Sequence, residues 1–230
     1  MDKVIFWDFQ GTLAHNEYMI SKAIHRVLNT NEPSSLIDME DLKKLKIGGM
    51  PWQQPEGNYK HLAGRVQWWK YVEEIFKETY KNLGFSEFKA KKYAEETHNE
   101  LVKPDGFKLY GDTIDALDYF KLNGWRNIII SNHVPELPNI VSSLGLEKYI
   151  ELTISSGNVG FEKPNPKIFE ITKEMAGFPK YMWMIGDSVL ADVKGPEKAG
   201  MKAVLVRSHK TEEIKYHCKN LKELKEIIIV

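Results

Sequence analysis

Six polar residues of this chain have side chains and positions suited to metal-assisted phosphate chemistry. The six residues are Asp8, Ser131, Asn132, Lys163, Asp187 and Asp192, and most of them follow a short apolar run or lie beside a proline. Three carboxylates brought to one place repel one another unless a cation lies between them, and oxygen-only ligands favour Mg²⁺. A lysine and a hydroxyl nearby suit the oxygens of a phosphoryl group, and an aspartate there can attack phosphorus.

The elements that would position these residues alternate along the chain. Five apolar runs have the length of buried strands, at residues 4–7, 128–130, 152–154, 182–185 and 203–206. Helical spacing separates several of them, at residues 112–122, 167–175 and 192–199. This alternation predicts an α/β fold, with a Rossmann-like parallel sheet and helices on both of its faces. Ligands of such sheets lie beyond the carboxyl ends of the strands, so the polar residues should meet there.

The alternation breaks between residues 14 and 103. Helical patterns cover residues 18–28, 39–45, 65–83 and 87–102, and no strand is expected among them. The simplest interpretation is a helical insertion directly after the first strand. We therefore expect a core domain of residues 1–13 and 104–230, and a helical cap domain of residues 14–103.

Four short motifs give the chain a family resemblance. They are DFQGTL at 8–13, IISN at 129–132, EKPNP at 162–166 and GDSVLAD at 186–192. In this order and spacing they resemble the haloacid dehalogenase superfamily, whose members are mostly phosphohydrolases. The predicted insertion resembles the helical, C1-type cap of its phosphatase-like branch. The resemblance implies a hydrolase that acts on a small phosphorylated metabolite, either a phosphomonoester or an acyl phosphate.

The resemblance also implies a Mg²⁺ site and a nucleophile. Asp8 matches the nucleophile, which would carry the phosphoryl group as an aspartyl-phosphate and also bind the metal. The backbone carbonyl of Gln10 and the carboxylate of Asp187 match further ligands. Asp192 matches a residue that supports the metal through water or a bond to a ligand.

A second group of matching residues would bind phosphate. Ser131 and the backbone of Asn132 are expected to hold phosphoryl oxygens, and Lys163 is expected to neutralise their charge. Thr12 would orient the first motif, and we expect its role in the turn to be structural rather than catalytic.

The chain departs from the family pattern at Gln10, where phosphatases usually carry an aspartate that acts as general acid and base. A carboxamide can do neither, and general acid–base catalysis is worth about 10²–10⁴ in rate. The glutamine could still orient water, as in some GTPases, or the enzyme could use leaving groups of low pKa. A long-lived aspartyl-phosphate is a third outcome. Dehalogenation of 2-haloacids and a phosphate-ligand binding or regulatory role stay as alternatives.

The bulk composition favours neither nucleic acid nor a membrane as a partner. Among the 230 residues, Lys plus Arg and Asp plus Glu both number 32, so no net charge favours nucleic acid or an anionic membrane. No apolar run approaches the length of a membrane span, and no signal peptide is evident. The single cysteine, Cys218, is consistent with a cytoplasmic location. The oligomeric state cannot be inferred from these features.

Several residues outside the motifs also receive an interpretation. Trp68, Val72 and Phe76 have helical spacing and predict a buried stripe rather than a binding surface. Residues that could instead line the mouth of the site or touch the substrate are His15, Asn16, Trp52 and His133. The basic stretch 207–210 is expected to be solvated surface.

Overall fold

A computed structural model describes residues 2–209 and 213–229 of the chain. Its strands are β1 (Lys3–Trp7), β2 (Ala14–His15), β3 (Lys108–Leu109), β4 (Arg126–Ser131), β5 (Leu152–Ser155), β6 (Tyr181–Gly186), β7 (Lys202–Val206) and β8 (His217–Cys218). Six of them form one sheet in the order β5-β4-β1-β6-β7-β8, and every neighbouring pair in it is parallel. The remaining two, β2 and β3, form a separate antiparallel pair.

The helices connect these strands. They are α1 (Met19–Asn31), α2 (Met39–Lys43), α3 (Arg65–Asn82), α4 (Glu87–Leu101), α5 (Thr113–Leu122), α6 (Leu137–Ser143), α7 (Ser156–Val159), α8 (Pro166–Met175), α9 (Gly195–Lys198) and α10 (Leu224–Ile227). A π-helix, Val189–Lys194, precedes α9 directly. In the described part of the chain, no helix combines the length and the apolar composition needed to span a bilayer.

Strand β1 lies in the centre of the sheet and is apolar on both faces. Val4 and Phe6 join the core on one face, whereas Ile5 and Trp7 join the core on the other, and all four are fully buried. Helix residues cover both faces, as Phe120 of α5 does on one side. A run of apolar residues without alternation is typical of such doubly covered parallel strands. The predicted α/β class is therefore confirmed.

The four helices α1 to α4 form a bundle between β2 and β3. Side chains such as Ile24 of α1 and Tyr80 of α3 are fully buried in it. The stripe Trp68, Val72 and Phe76 is buried as expected. The Ser86 hydroxyl caps α4 by accepting a hydrogen bond from the backbone N–H of Lys89. The domain borders at 1–13, 14–103 and 104–230 stay a prediction.

The secondary structure differs from the expectation in several places, and two of these differences lie near the predicted motifs. A strand, β2, lies where none was expected, because two residues are too short to show an apolar alternation. The helix predicted over 192–199 begins earlier, as a π-helix that the Ser188 hydroxyl caps, so Asp192 lies inside it. Pro196 has no N–H to continue a regular helical ladder, which explains the wider turn before it.

The prediction that 207–210 is solvated surface is wrong for Arg207. Its Nε donates to the carbonyl oxygen of Thr12 at 3.0 Å, its Nη2 pairs with Asp112, and the guanidinium lies 3.7 Å from the ring centre of Tyr110. The side chain is only 14% exposed. Lys210 lies outside the described residues. Arg207 thus ties the end of β7 to the loop that follows β1.

The substitution Arg207→Met should lower the free energy of unfolding by roughly 2–4 kcal/mol, because it leaves Asp112 buried without its cation. Arg26→Met is the control, since Arg26 is 42% exposed in its ion pairs and should cost less than about 1 kcal/mol. Urea denaturation measures both. Equal losses in the two variants would show that the Arg207 contacts do not support the fold.

Candidate functional site

The carboxyl ends of β1 and β6 bring two carboxylates together. The backbone N–H of Asp8 donates to the carbonyl oxygen of Ile185 at 2.8 Å, which extends the pairing of these strands by one residue. Asp187 follows the end of β6, so its carboxylate reaches the same edge of the sheet. Ser131, at the end of β4 on the other side of β1, donates its hydroxyl to Asp8 Oδ1 at 2.9 Å.

Lys163 lies at the centre of the site and is only 2% exposed. Its Nζ donates to Asp8 Oδ1 at 2.8 Å and to Asp192 Oδ1 at 2.5 Å. Burial by itself would lower the pKa of this ammonium, but the charges of Asp192 and Asp8 outweigh it and hold the pKa above its ordinary value. The lysine is therefore charged. It connects Asp8, which lies 155 positions before it in the sequence, with Asp192, which lies 29 positions after it.

Asn132 fixes the backbone that carries this lysine. Its Oδ1 accepts from the backbone N–H of Lys163 at 2.6 Å, and its Nδ2 donates to the carbonyl oxygen of Lys163 at 2.8 Å. Both ends of the carboxamide are thus used to position Lys163. This role for the side chain adds to the expected role of the Asn132 backbone.

The three carboxylates of Asp8, Asp187 and Asp192 form a cluster that can hold a cation. One oxygen from each lies within 4.8 Å of the others. Burial, with the charge of Asp8 as a second cause, raises the pKa of Asp187 to about 6, and burial also raises the pKa of Asp192. One ammonium does not balance three carboxylates. The donor set is made of oxygen atoms alone, so it fits a hard divalent ion such as Mg²⁺.

Two glycines leave the space that this cluster occupies. Gly11 has a φ of +92°, and a Cβ there would overlap the carboxylate of Asp187. A Cβ at Gly186 would overlap the carboxylate of Asp192 in the same way. Substitution of either glycine would therefore displace a carboxylate of the cluster.

Gln10 and Thr12 lie in the loop after Asp8, outside the hydrogen bonds of the cluster. Gln10 Nε2 donates to the carbonyl oxygen of Asn16 at 3.1 Å, while its Oε1 is buried without a partner among the described residues. The Thr12 hydroxyl is likewise buried without a partner there, and the structure does not join it to the carboxylates. The Thr12 carbonyl instead holds the loop through Arg207.

A cavity of about 500 Å³ opens between the α1–α2 region and the loop after β4. Gln10 lines it, together with Asn16, Trp52 and His133 from the set expected near the substrate. His15 does not line it, because its ring packs against Tyr110 with 5.0 Å between the ring centres.

His133 is a buried imidazole in the wall of this cavity. Its ring lies 5.7 Å from the ring centre of Phe9 and 5.6 Å from that of Phe107. Burial lowers the pKa of His133 to about 4, so the ring is neutral at physiological pH. Neither ring nitrogen has a partner among the described residues.

Three further residues near the site, Ser155, Ser156 and Glu162, were not predicted to be functional. The hydroxyls of Ser155 and Ser156 hold the backbone of His133, since Ser155 Oγ donates to its carbonyl oxygen at 2.6 Å and Ser156 Oγ accepts from its N–H at 3.0 Å. Both serines directly follow the third apolar run, so the expectation that polar residues at the carboxyl ends of strands meet at the site could have identified them. Glu162 is also buried beside Lys163, and burial raises the pKa of its carboxyl to about 7.

Comparison of the chain with known proteins identifies the family to which this fold belongs. The model of the haloacid dehalogenase-like hydrolases matches residues 3–200. The chain therefore belongs to the haloacid dehalogenase-like hydrolase family. It is an enzyme of this hydrolase class, with phosphatases among its relatives.

Two curated relatives and one solved structure illustrate the similarity. The chain is 25% identical to the human haloacid dehalogenase-like hydrolase domain-containing protein 3, over 89% of this chain and 81% of that protein. It is 29% identical to phosphoserine phosphatase from Thermus thermophilus, over 68% of this chain and 67% of that protein. The HAD-hydrolase YfnB from Bacillus subtilis, solved with magnesium bound, has a TM-score of 0.73 at 19% identity, over 99% of both chains, and shows the shared fold.

The raised pKa of Asp187 predicts a stability change in metal-free protein. An Asp whose pKa rises from 3.8 to about 6 on folding gives stability that is complete below pH 3.8 and is lost as the pH rises through 6. With a chelator present, Asp187→Asn should therefore exceed wild type above pH 7 by on the order of 1–2 kcal/mol in the free energy of unfolding.

Urea titrations at several pH values measure this difference. It should shrink between pH 6 and pH 4, because the wild-type carboxyl becomes protonated in that interval. The exposed Asp118→Asn is the control and should show no such trend. A constant difference between Asp187→Asn and wild type at every pH would contradict the predicted titration.

Proposed function

We propose that this protein is a Mg²⁺-dependent hydrolase of a small phosphorylated metabolite, which transfers the phosphoryl group to Asp8 before water releases it. The observation that carries the proposal is the contact set of Asp8. One of its oxygens, Oδ1, receives hydrogen bonds from both Ser131 and Lys163. Among the hydrogen bonds of the described residues, none uses Oδ2, so that oxygen is available as the nucleophile.

The charges around Asp8 favour the approach of a phosphoryl group. Asp8 and Asp187, with the carbonyl of Gln10 and support from Asp192, would hold Mg²⁺, which screens the repulsion between a carboxylate and an anionic phosphate. Lys163 supplies a fixed positive charge beside the carboxylate of Asp8. Ser131 and the backbone of Asn132 would hold phosphoryl oxygens, and the buried position of the site excludes competing water.

Gln10 changes the proton transfers of this reaction. One N–H of its amide nitrogen donates to the carbonyl of Asn16, which can only accept, and this bond fixes Oε1 as the end without a partner among the described residues. That oxygen can accept a hydrogen bond from an attacking water, but it has no proton for a departing alkoxide. We expect a loss of about 10²–10⁴ in rate, or roughly 3–5 kcal/mol of barrier, for poor leaving groups. Acyl phosphates and phenyl phosphates should suffer less.

The names of the relatives support a phosphate monoester as the substrate. The name of phosphoserine phosphatase from Thermus thermophilus says that this relative acts on a phosphomonoester. The helices α1 to α4 would act as the C1-type cap that closes over the cavity during phosphoryl transfer. A cytoplasmic location and the absence of nucleic acid or membrane partners stay predictions.

Two alternatives are less well supported by the site. The 2-haloacid dehalogenases of this superfamily need no metal. Here Lys163 pairs with two of the three clustered carboxylates, Asp8 and Asp192, so the cluster still favours a further cation. A binding or regulatory protein would have no need for the paired donors on Asp8 Oδ1. Both alternatives predict that phosphate release does not depend on Asp8.

The substitution Gln10→Asp should raise kcat/KM with an alkyl phosphate by about 10–10³, because it supplies a general acid. The gain with acetyl phosphate should be small, since that leaving group needs little protonation. Asp8→Asn should abolish turnover of para-nitrophenyl phosphate and acetyl phosphate. Steady-state assays with Mg²⁺ measure these rates, and the exposed Gln67→Asp serves as the control.

Two results would contradict this proposal. One is an Asp8→Asn variant that retains Mg²⁺-dependent turnover. The other is a wild-type protein that hydrolyses neither substrate while it still binds Mg²⁺, which would favour the binding role or dehalogenation.

A further inference from the structure

A second cavity lies at the edge of the sheet opposite to the candidate active site. It has a volume of about 480 Å³, and its lining includes Lys3, Tyr181 and Lys202, the first residues of β1, β6 and β7. Asp8 follows the other end of β1, so the 5 residues of this strand, about 17 Å in length, separate the two places. The cavity therefore has no part in the site around Asp8.

The register of the sheet places four of the lining side chains on one face. Lys3 pairs with Tyr181 across β1 and β6, and Trp183 pairs with Lys202 across β6 and β7. Paired residues of neighbouring strands point to the same face, and so do residues two positions apart on one strand, such as Tyr181 and Trp183. Two lysines and two aromatic rings thus form one continuous patch at the amino end of the sheet.

This patch makes the cavity positively charged. Lys180 adds a third ammonium to those of Lys3 and Lys202, and no aspartate or glutamate occurs among the described residues that line the cavity. Asp2, the neighbour of Lys3 in the sequence, pairs with Arg126 instead. Within residues 2–209 and 213–229, none of the three lysines takes part in an ion pair or a side-chain hydrogen bond. Three positive charges around one cavity repel one another, so an anion between them is favourable.

Two of the ammonium groups lie on indole rings. Lys3 Nζ is 5.0 Å from the ring centre of Trp125, and Lys202 Nζ is 5.2 Å from that of Trp183. These tryptophans are only 6% and 7% exposed, so the protein interior holds their rings in place. The quadrupole of an indole attracts an ammonium group without neutralising its charge. Both lysines are therefore positioned, and their charges stay available to an anion.

The other walls of the cavity are aromatic and aliphatic. Tyr216 packs edge-on against Trp183 with 5.2 Å between the ring centres, and Ile227 of α10 also lines the cavity. Tyr181 is 46% exposed and offers ring surface for stacking. Apolar and aromatic walls with a few placed polar groups are typical of small-molecule sites, and the volume lies in their usual range.

The spacing of the lysines indicates how large the ligand is. Strand β6 lies between β1 and β7, so the backbones of Lys3 and Lys202 are separated by two strand spacings, roughly 10 Å. A single small anion such as phosphate would contact only part of this arrangement. A ligand with an extended anionic group and a planar ring would contact the ammonium groups and the aromatic wall together.

We propose that this cavity binds a small anion that carries an aromatic ring and has about the size of a mononucleotide. Lys3, Lys180 and Lys202 would hold its anionic groups, and Tyr181 would stack on its ring. Nucleotides and aromatic carboxylates share this chemistry. The inference does not rest on the proposed phosphohydrolase function, because the cavity includes none of the residues assigned to that function.

Isothermal titration calorimetry at pH 8 with a chelator provides the first test. Without a metal ion the carboxylates of Asp8, Asp187 and Asp192 outnumber the ammonium of Lys163 and repel anions from the active site. ADP represents the nucleotides and 2-naphthoate the aromatic carboxylates, and we expect at least one of them to bind with a Kd below about 1 mM. Pyrophosphate has a charge similar to that of ADP but no ring, and it should bind at least about threefold more weakly than ADP.

Substitutions in the cavity then locate the binding site. Lys3→Gln and Lys202→Gln should each weaken the bound aromatic anion about fivefold, since each variant removes one charged contact. Tyr181→Ala should weaken that ligand about threefold and leave the affinity for pyrophosphate unchanged, because it removes only a ring contact. The matched controls Lys91→Gln and Phe88→Ala change exposed residues of α4 and should bind as wild type does.

Three results would overturn the inference. Neither ADP nor 2-naphthoate binds below about 1 mM, or pyrophosphate binds as tightly as ADP, or both lysine variants keep the wild-type affinity. Binding of ADP alone would support the inference and identify nucleotides as the source of the ligand, whereas binding of 2-naphthoate alone would support it and identify aromatic carboxylates. Because these titrations involve neither a metal nor turnover, their outcome is separate from that of the assays of phosphate release.

Discussion

The buried ammonium of Lys163 and its two carboxylate partners constrain the geometry of the whole site. A lysine that is 2% exposed must be paired, because an isolated buried charge is very costly. Of its partners, Asp8 directly follows β1 and Asp192 lies in the helix after β6. Because β1 and β6 are the paired central strands, the distance between these carboxylates depends on the register of the sheet. Asn132 fixes the lysine backbone from the neighbouring strand β4. The ends of β1 and β4 and the helix after β6 must therefore all be in place before Lys163 has its partners.

The loop after β1 is under a similar constraint, since it must pass close to the carboxylates without displacing them. Gly11 allows a positive φ and leaves room for Asp187, while Arg207 and the Thr113 hydroxyl hold the carbonyls of Thr12 and Leu13 from outside. The same loop carries Gln10, whose amide is fixed by the Asn16 carbonyl. The geometry that positions the nucleophile thus also determines which end of the glutamine is available for chemistry.

Sequence patterns predict the sheet and the assembly of polar residues at its edge, because in a parallel sheet the carboxyl ends of the strands share one side. Asp8, Ser131, Lys163, Asp187 and Asp192 are accordingly brought together. The burial of Arg207 could not be predicted, since it depends on Asp112 and Tyr110, which are about a hundred residues away. The unpartnered atoms of His133 and Asn16 are equally a product of tertiary packing. The two-residue strands β2 and β3 are too short to leave a periodic signal.

The central claim is that Asp8 accepts a phosphoryl group, and its most direct test is to trap that species. Wild-type protein is mixed with Mg²⁺ and acetyl phosphate, quenched in acid, treated with trypsin and examined by mass spectrometry. Trypsin should release residues 4–22, because it cleaves after Lys3 and Lys22. We predict that this peptide gains the mass of one phosphoryl group and that borohydride converts Asp8 to homoserine, with accumulation favoured by the carboxamide of Gln10. Consumption of acetyl phosphate with residues 4–22 always unmodified would contradict the account.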